Sequence, residues 1–134
     1  MYKRQDKPIR HHGWTHNQNK EEVLRDLEKL DLFHMEQFAH LAIKMDSIEE
    51  GEGTLLDNMM FVMGSGLGSG MHHTCSNLPT LIAGSGGGLF KTNRHDRHSP
   101  GTPIANLWLS IAKGMGAKTD RIGDSTSTLD GWTI

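Results

Sequence analysis

Nine histidines stand in this 134-residue chain, and seven of them fall in three clusters. His11, His12 and His16 lie near the start, His72 and His73 in the middle, and His95 and His98 further on. Neutral imidazole is the commonest metal ligand, and histidine loops gathered at one sheet edge would make a divalent-metal position or a substrate contact. The candidate metal ligands are therefore His12, His16, His72, His73 and His95. The usual zinc spacings are absent, with neither a CxxC nor an HExxH pattern. His34 and His40 belong to a different setting. The first lies on the apolar stripe of a helical pattern, where a buried imidazole bonded to a carbonyl is expected; the second falls on its polar side.

Two glycine-rich stretches form the other chemical signal. Gly64-Ser65-Gly66-Leu67-Gly68 and Gly84-Ser85-Gly86 invite a nucleotide-binding reading, and their spacing rejects it. A dinucleotide loop needs glycines at relative positions 1, 3 and 6, but the sixth position is Ser69, Met71 or Leu89, depending on the start. No Lys-Ser/Thr pair follows either stretch, and no serine has glycines two residues before and after it, as a nucleophile elbow requires. Tight turns after buried strands, with positive backbone dihedrals, account for these glycines. Such loops also lie where α/β proteins bind ligands, at the carboxyl ends of strands. Ser65, Gly66 and Gly68 are thus a candidate anion loop, in which backbone amides form a nest. Asp124, in Gly123-Asp124-Ser125-Thr126, is a further candidate and equally suits an Asx turn.

The elements that would position these groups follow from periodicity. Residues 1–18 are polar, contain Pro8 and Gly13, and predict a loop. From Asn19 to Ile48 apolar residues recur at helical spacing, with Asn19 and Glu22 resembling a capping box and Gly51 and Gly53 beyond the end. That helix is expected to run unbroken past His34 and to bury Leu27, Leu30, Phe38 and Leu41. The apolar runs 59–63 and 80–83 each stop at glycine and predict neighbouring parallel strands. Thr102-Pro103 opens a second helix through Ile104, Leu107, Trp108 and Ile111, ending near Gly114 or Gly116. The remainder reads as irregular surface. Helix, strand, glycine loop, strand and helix make an α/β pattern. Two strands do not form a self-sufficient sheet, so the expectation is one α/β domain of which residues 1–134 are the C-terminal part, 19–134 being its folded portion. It should then need the N-terminal part of its own domain, and on its own be marginally stable through unpaired strand edges.

Composition narrows the partners. A formal charge of −2 supplies no field to attract nucleic acid or anionic membrane. One cysteine, Cys75, allows no internal disulfide. No apolar run is long enough for a transmembrane span, and the charged N-terminal residues carry no targeting signal.

His12 to Asn17, His34 to Leu41, Gly51 to Asn58, Gly64 to Gly68, Asn77-Leu78-Pro79, Arg94-His95, Gly101-Thr102-Pro103 and Gly123 to Thr126, taken together in this order, resemble a bacterial domain of unknown function named HXXSHH after its His-x-x-Ser-His-His signature. His12-Gly13-Trp14-Thr15-His16-Asn17 is similar to the signature, with Thr15 for Ser and Asn17 for the last His. His34 to Leu41 looks like that family's central helix, and Gly51 to Asn58, Gly64 to Gly68 and Asn77-Leu78-Pro79 resemble its following blocks. Arg94-His95, Gly101-Thr102-Pro103 and Gly123 to Thr126 resemble its closing pattern, while Ser69 stands where members often carry an acidic residue. The family in turn looks distantly similar to the alkaline phosphatase and sulfatase superfamily, which implies a partial alkaline-phosphatase-like sheet. There a strand end carries an Asp-His metal pair; here Gly64 to Gly68 has neither. The resemblance implies a parent protein that is periplasmic or extracellular. Two functions follow: a hydrolase-like protein with a vestigial or altered metal site lined by loop histidines, or a non-catalytic binding or scaffolding protein that keeps the fold.

Overall fold

A computed structural model describes residues 11–133. Its order is α1 (His11–Thr15), α2 (Glu21–Asp46), β1 (Glu49–Glu50), β2 (Gly53–Thr54), β3 (Phe61–Gly64), β4 (Thr80–Ala83) and α3 (Ala105–Gly114). The chain is mixed α/β, with helices and two small antiparallel sheets. It divides into two compact units, one comprising the chain through Leu41 together with Ser65–Pro79, the other Ala42–Gly64 and the chain from Thr80.

In the first unit the signature segment is helical, not the loop its polarity predicts. Thr15 Oγ1 donates to His12 O at 2.8 Å and Asn17 Nδ2 to Gly13 O at 2.8 Å, so two polar side chains close the turn locally. That turn buries Trp14 against Val23, Leu27 and Leu30, the core cluster of this unit. The helix α2 begins two residues later than its pattern suggests. Lys20 O accepts the first helical bond, from Leu24 N at 3.1 Å, which makes Lys20 rather than Asn19 the N-cap. Glu21 and Glu22 still place negative charge on the first turn, where the helix dipole favours it.

The helix passes His34 without a break, yet its burial differs from expectation. Leu27 and Leu30 are buried, Phe38 is half-buried, and Leu41 is exposed at 47%. His34 is exposed as well, its ring 5.9 Å from that of Phe33, so it is not a buried histidine bonded to a carbonyl. His40 is exposed on the same helix. Helical periodicity records an amphipathic face; it does not record whether anything covers that face.

In the second unit β1 and β2 form a two-residue hairpin, with Gly51 at φ +62 and the Asp57 carboxylate accepting from Thr54 N at 2.9 Å and Thr54 Oγ1 at 3.0 Å. The strands β3 and β4 pair antiparallel, with Phe61 opposite Ala83 and Gly64 opposite Thr80. This overturns the expected parallel pairing. A 15-residue connection is long enough for a parallel crossover but does not require one, and Ser65–Pro79 returns directly instead. Beyond them α3 ends as its sequence suggests, with Gly116 at φ +87 just past the C-cap Met115.

Its buried face is partly polar. Asn106 Oδ1 accepts from Thr126 N at 2.8 Å, Ser110 Oγ accepts from Leu129 N at 2.7 Å, and Ser125 Oγ accepts from Ile122 N at 2.9 Å. Asn106, Ser110 and Ser125 are all buried, so the segment read as irregular surface is tied to the helix by satisfied polar groups. Phe90, 2% exposed, lies over Gly114, where a Cβ would stand 2.3 Å from its ring. Among the described residues no large side chain is sealed completely from solvent. No helix there is long and apolar enough to cross a membrane.

Candidate functional site

Three of the candidate histidines meet in the first unit. His12 and His16 are one helical turn apart, and His16 N donates to His12 O at 3.3 Å, which sets both imidazoles on one face. Their ring centroids are 4.5 Å apart. The third comes from the Ser65–Pro79 segment, which folds back on itself through a bridge between Ser69 and Thr74. Gly68 N donates to Thr74 O at 2.8 Å and His72 N to Ser69 Oγ at 3.3 Å, fixing the tip of that turn. His73 closes it in the left-handed region, at φ +52, a conformation in which His is commoner than most side chains. A Cβ at Gly70 would stand 2.7 Å from Thr15 Cβ, so only glycine lets this turn lie so close to α1.

The result is a short contact between imidazoles. His73 Nε2 lies 3.2 Å from His16 Nε2, and the His73 ring centroid is 4.9 Å from that of His16 and 6.3 Å from that of His12. All three side chains are exposed. Two neutral rings at this separation share one N–H, and which ring donates depends on the tautomer. The separation also suits two ligands of one ion. With metal–nitrogen bonds of about 2.0–2.1 Å, it corresponds to an angle at the metal of roughly 100°. Among the described residues no group of three or more His, Cys, Asp or Glu side chains is placed to hold a metal ion. The donor set is thus a pair, not a closed cage.

The other candidates stand apart from this contact. His72 is exposed at the turn, and among the described residues no ring contact joins it to the three. Cys75 is a free, exposed thiol in the same segment, its Sγ directed to His73 O at 3.9 Å. His95 belongs to the second unit, exposed between Arg94 and Asp96, whose side chains pair at 2.7 Å. Asp124 is also exposed in that unit, and its neighbour Ser125 is the residue the fold buries.

The candidate anion loop has little left to offer. Ser65 N donates to Pro79 O at 3.3 Å, Leu67 N to Ser65 Oγ at 3.2 Å, and Gly68 N to Thr74 O, so three of its amides are already engaged. The Ser65 hydroxyl itself is the acceptor for Leu67. Trp14, the buried residue of α1, was missed as a core residue; its sequence signal is being a large apolar residue among polar neighbours.

The chain matches no protein-family model, no curated protein and no solved structure.

Proposed function

We propose that the chain is part of a hydrolase-like α/β protein similar to the HXXSHH family, in which the His16–His73 pair, with His12 beside it, forms an altered divalent-metal position. The observation that carries this is the 3.2 Å approach of His16 Nε2 and His73 Nε2, from segments 57 residues apart. The signature-like turn supplies two of the three rings, and the glycine at position 70 lets the third approach. A long helix, a strand ending in a glycine loop, a second strand and a further helix support the remote likeness to the alkaline phosphatase and sulfatase superfamily; the antiparallel pairing of β3 with β4 departs from it. By the same resemblance the parent protein is exported.

The chain binds without hydrolysing. Two-metal ester hydrolysis needs several anionic ligands to offset the cations, and the end of β3 offers a hydroxyl, backbone amides and no carboxylate. With zinc, magnesium or calcium added, no turnover of phosphate or sulfate monoesters is expected. Protein purified without chelator should bind a divalent ion, His16→Ala should remove most of that binding, and His40→Ala should leave it intact. Equal effects of the two variants, or metal-dependent turnover abolished by His73→Ala, would overturn this assignment. The exposed apolar residues Leu32, Met35 and Ile43 on α2 favour a second reading, a non-catalytic binding or scaffolding protein. Concentration-dependent association without metal binding, followed by analytical ultracentrifugation, would select it.

A further inference from the structure

We infer that the His16–His73 pair takes a borderline, nitrogen-preferring ion such as Cu²⁺, Ni²⁺, Co²⁺ or Zn²⁺, not Mg²⁺ or Ca²⁺, and holds it with coordination positions open to an outside ligand. This rests on the metal position proposed above and adds the class of ion. The two donors in contact are both imidazole nitrogens. No Asp, Glu or Cys side chain completes the pair to a group of three among the described residues. Calcium takes six to eight oxygen ligands, and magnesium demands near-octahedral oxygen coordination; two neutral nitrogens satisfy neither. Imidazole suits zinc, copper and nickel, and for a given nitrogen site affinity rises through the divalent series to copper.

Loading the pair needs one proton to move. In the hydrogen-bonded tautomer one Nε2 carries the hydrogen shared with the other, whereas an ion needs a lone pair on both. The donor ring shifts that proton from Nε2 to Nδ1, and both rings remain neutral. Two protein ligands fill half of a tetrahedral shell. Both rings are solvent-exposed, so water or the donor atom of a small ligand fills the remainder.

The test uses the whole chain and bare metal ions. Cu²⁺ and Co²⁺ titrations are followed by visible absorption and, for Cu²⁺, by nitrogen hyperfine structure in electron paramagnetic resonance; Mg²⁺ and Ca²⁺ are followed by calorimetry. The variants are His16→Gln and His73→Asn, the latter because Asn tolerates the positive φ at that position. His40→Gln is the control, and far-UV circular dichroism checks folding. The expected result is one tight Cu²⁺ with two nitrogen ligands, weakened at least about tenfold in either variant and unchanged in the control. Mg²⁺ or Ca²⁺ binding as tightly as Cu²⁺ would overturn the ion class while leaving the metal position standing. Binding that is unchanged in both variants, or absent from the parent chain, would overturn the position itself.

Discussion

The two glycine loops, Gly64 to Gly70 and Gly84 to Gly88, look alike in sequence and differ in what they ask of glycine. In the first, none of Gly64, Gly66, Gly68 and Gly70 adopts a positive φ. What matters there is space: a Cβ at Gly68 would lie 2.1 Å from Ser76 O, and one at Gly70 would meet Thr15. In the second, Gly84, Gly86, Gly87 and Gly88 all have positive φ, between +60 and +91. Their amides turn inward, Gly86 N donating to Met59 O at 3.1 Å and Gly87 N to Asp57 O at 2.7 Å, while Ser85 Oγ accepts from Gly88 N at 3.0 Å. The first loop needs a missing side chain so that another segment can approach; the second needs a handedness at all four positions and, at Gly84, a missing side chain as well, since a Cβ there would lie 2.2 Å from Met59 O. The first loop leads into His73 and its ring contact, the second spends its polar groups on its own scaffold.

Single alanine substitutions test this difference, with stability read from urea denaturation midpoints. Of three alanines that each meet at most one of these factors, Gly68→Ala has the largest expected effect, a loss of about 2–3 kcal/mol, because the obstacle is backbone and cannot rotate away. It should also weaken any metal affinity that depends on His73, since the turn carrying that residue must shift. Gly88→Ala comes next, at about 1–2 kcal/mol: its Cβ meets open space, and only the left-handed conformation at φ +82 is unfavourable. Smallest is Gly66→Ala, with nothing within 4 Å and no positive φ; a change within about 0.5 kcal/mol, or a slight gain from a stiffer unfolded chain, is expected. If Gly66 and Gly68 responded alike, space would not distinguish them. If Gly88 proved neutral, handedness would not be what the second loop requires.

The same contrast shows how much was legible in the sequence. Positive dihedrals were expected in both glycine loops and hold in the second alone, because glycine spelling does not say whether geometry or crowding demands it. The helices α2 and α3 were legible, since a 3.6-residue period sustained over ten or more residues matches the turn of a helix and not the alternation of a strand. Which part of α2 would be covered was not: Leu27 and Leu30 find Trp14, whereas Leu41 and Ile43, equally apolar, remain exposed. Strand direction was not legible either: an apolar run without alternation points to a strand buried on both faces in a parallel sheet, whereas β3 and β4 are half-buried at most positions and form a sheet of two. At the candidate site, His12 and His16 were marked by their clustering near the start and by the signature-like motif, in a segment read as a loop, and His73 by its place in the loop after β3. Their mutual contact depends on the chain reversal at Ser69 and Thr74, a long-range event that no local pattern encodes.

The antiparallel pairing of β3 with β4 has a consequence for how this protein can change over generations. Gly64 opposite Thr80 clamps both ends of the segment that carries His72, His73 and Cys75, so the hairpin's register is set outside that segment. Closing a flexible loop costs entropy only logarithmically in its length, and doubling it adds about 0.6 kcal/mol. Changes of length between Ser65 and Pro79 that spare the close approaches at Gly68 and Gly70 therefore leave the strand pairing almost untouched while they remodel the residues facing His12 and His16. Within the histidine-bearing segment a lineage could gain or lose ligands at the exposed positions while the strand register is kept.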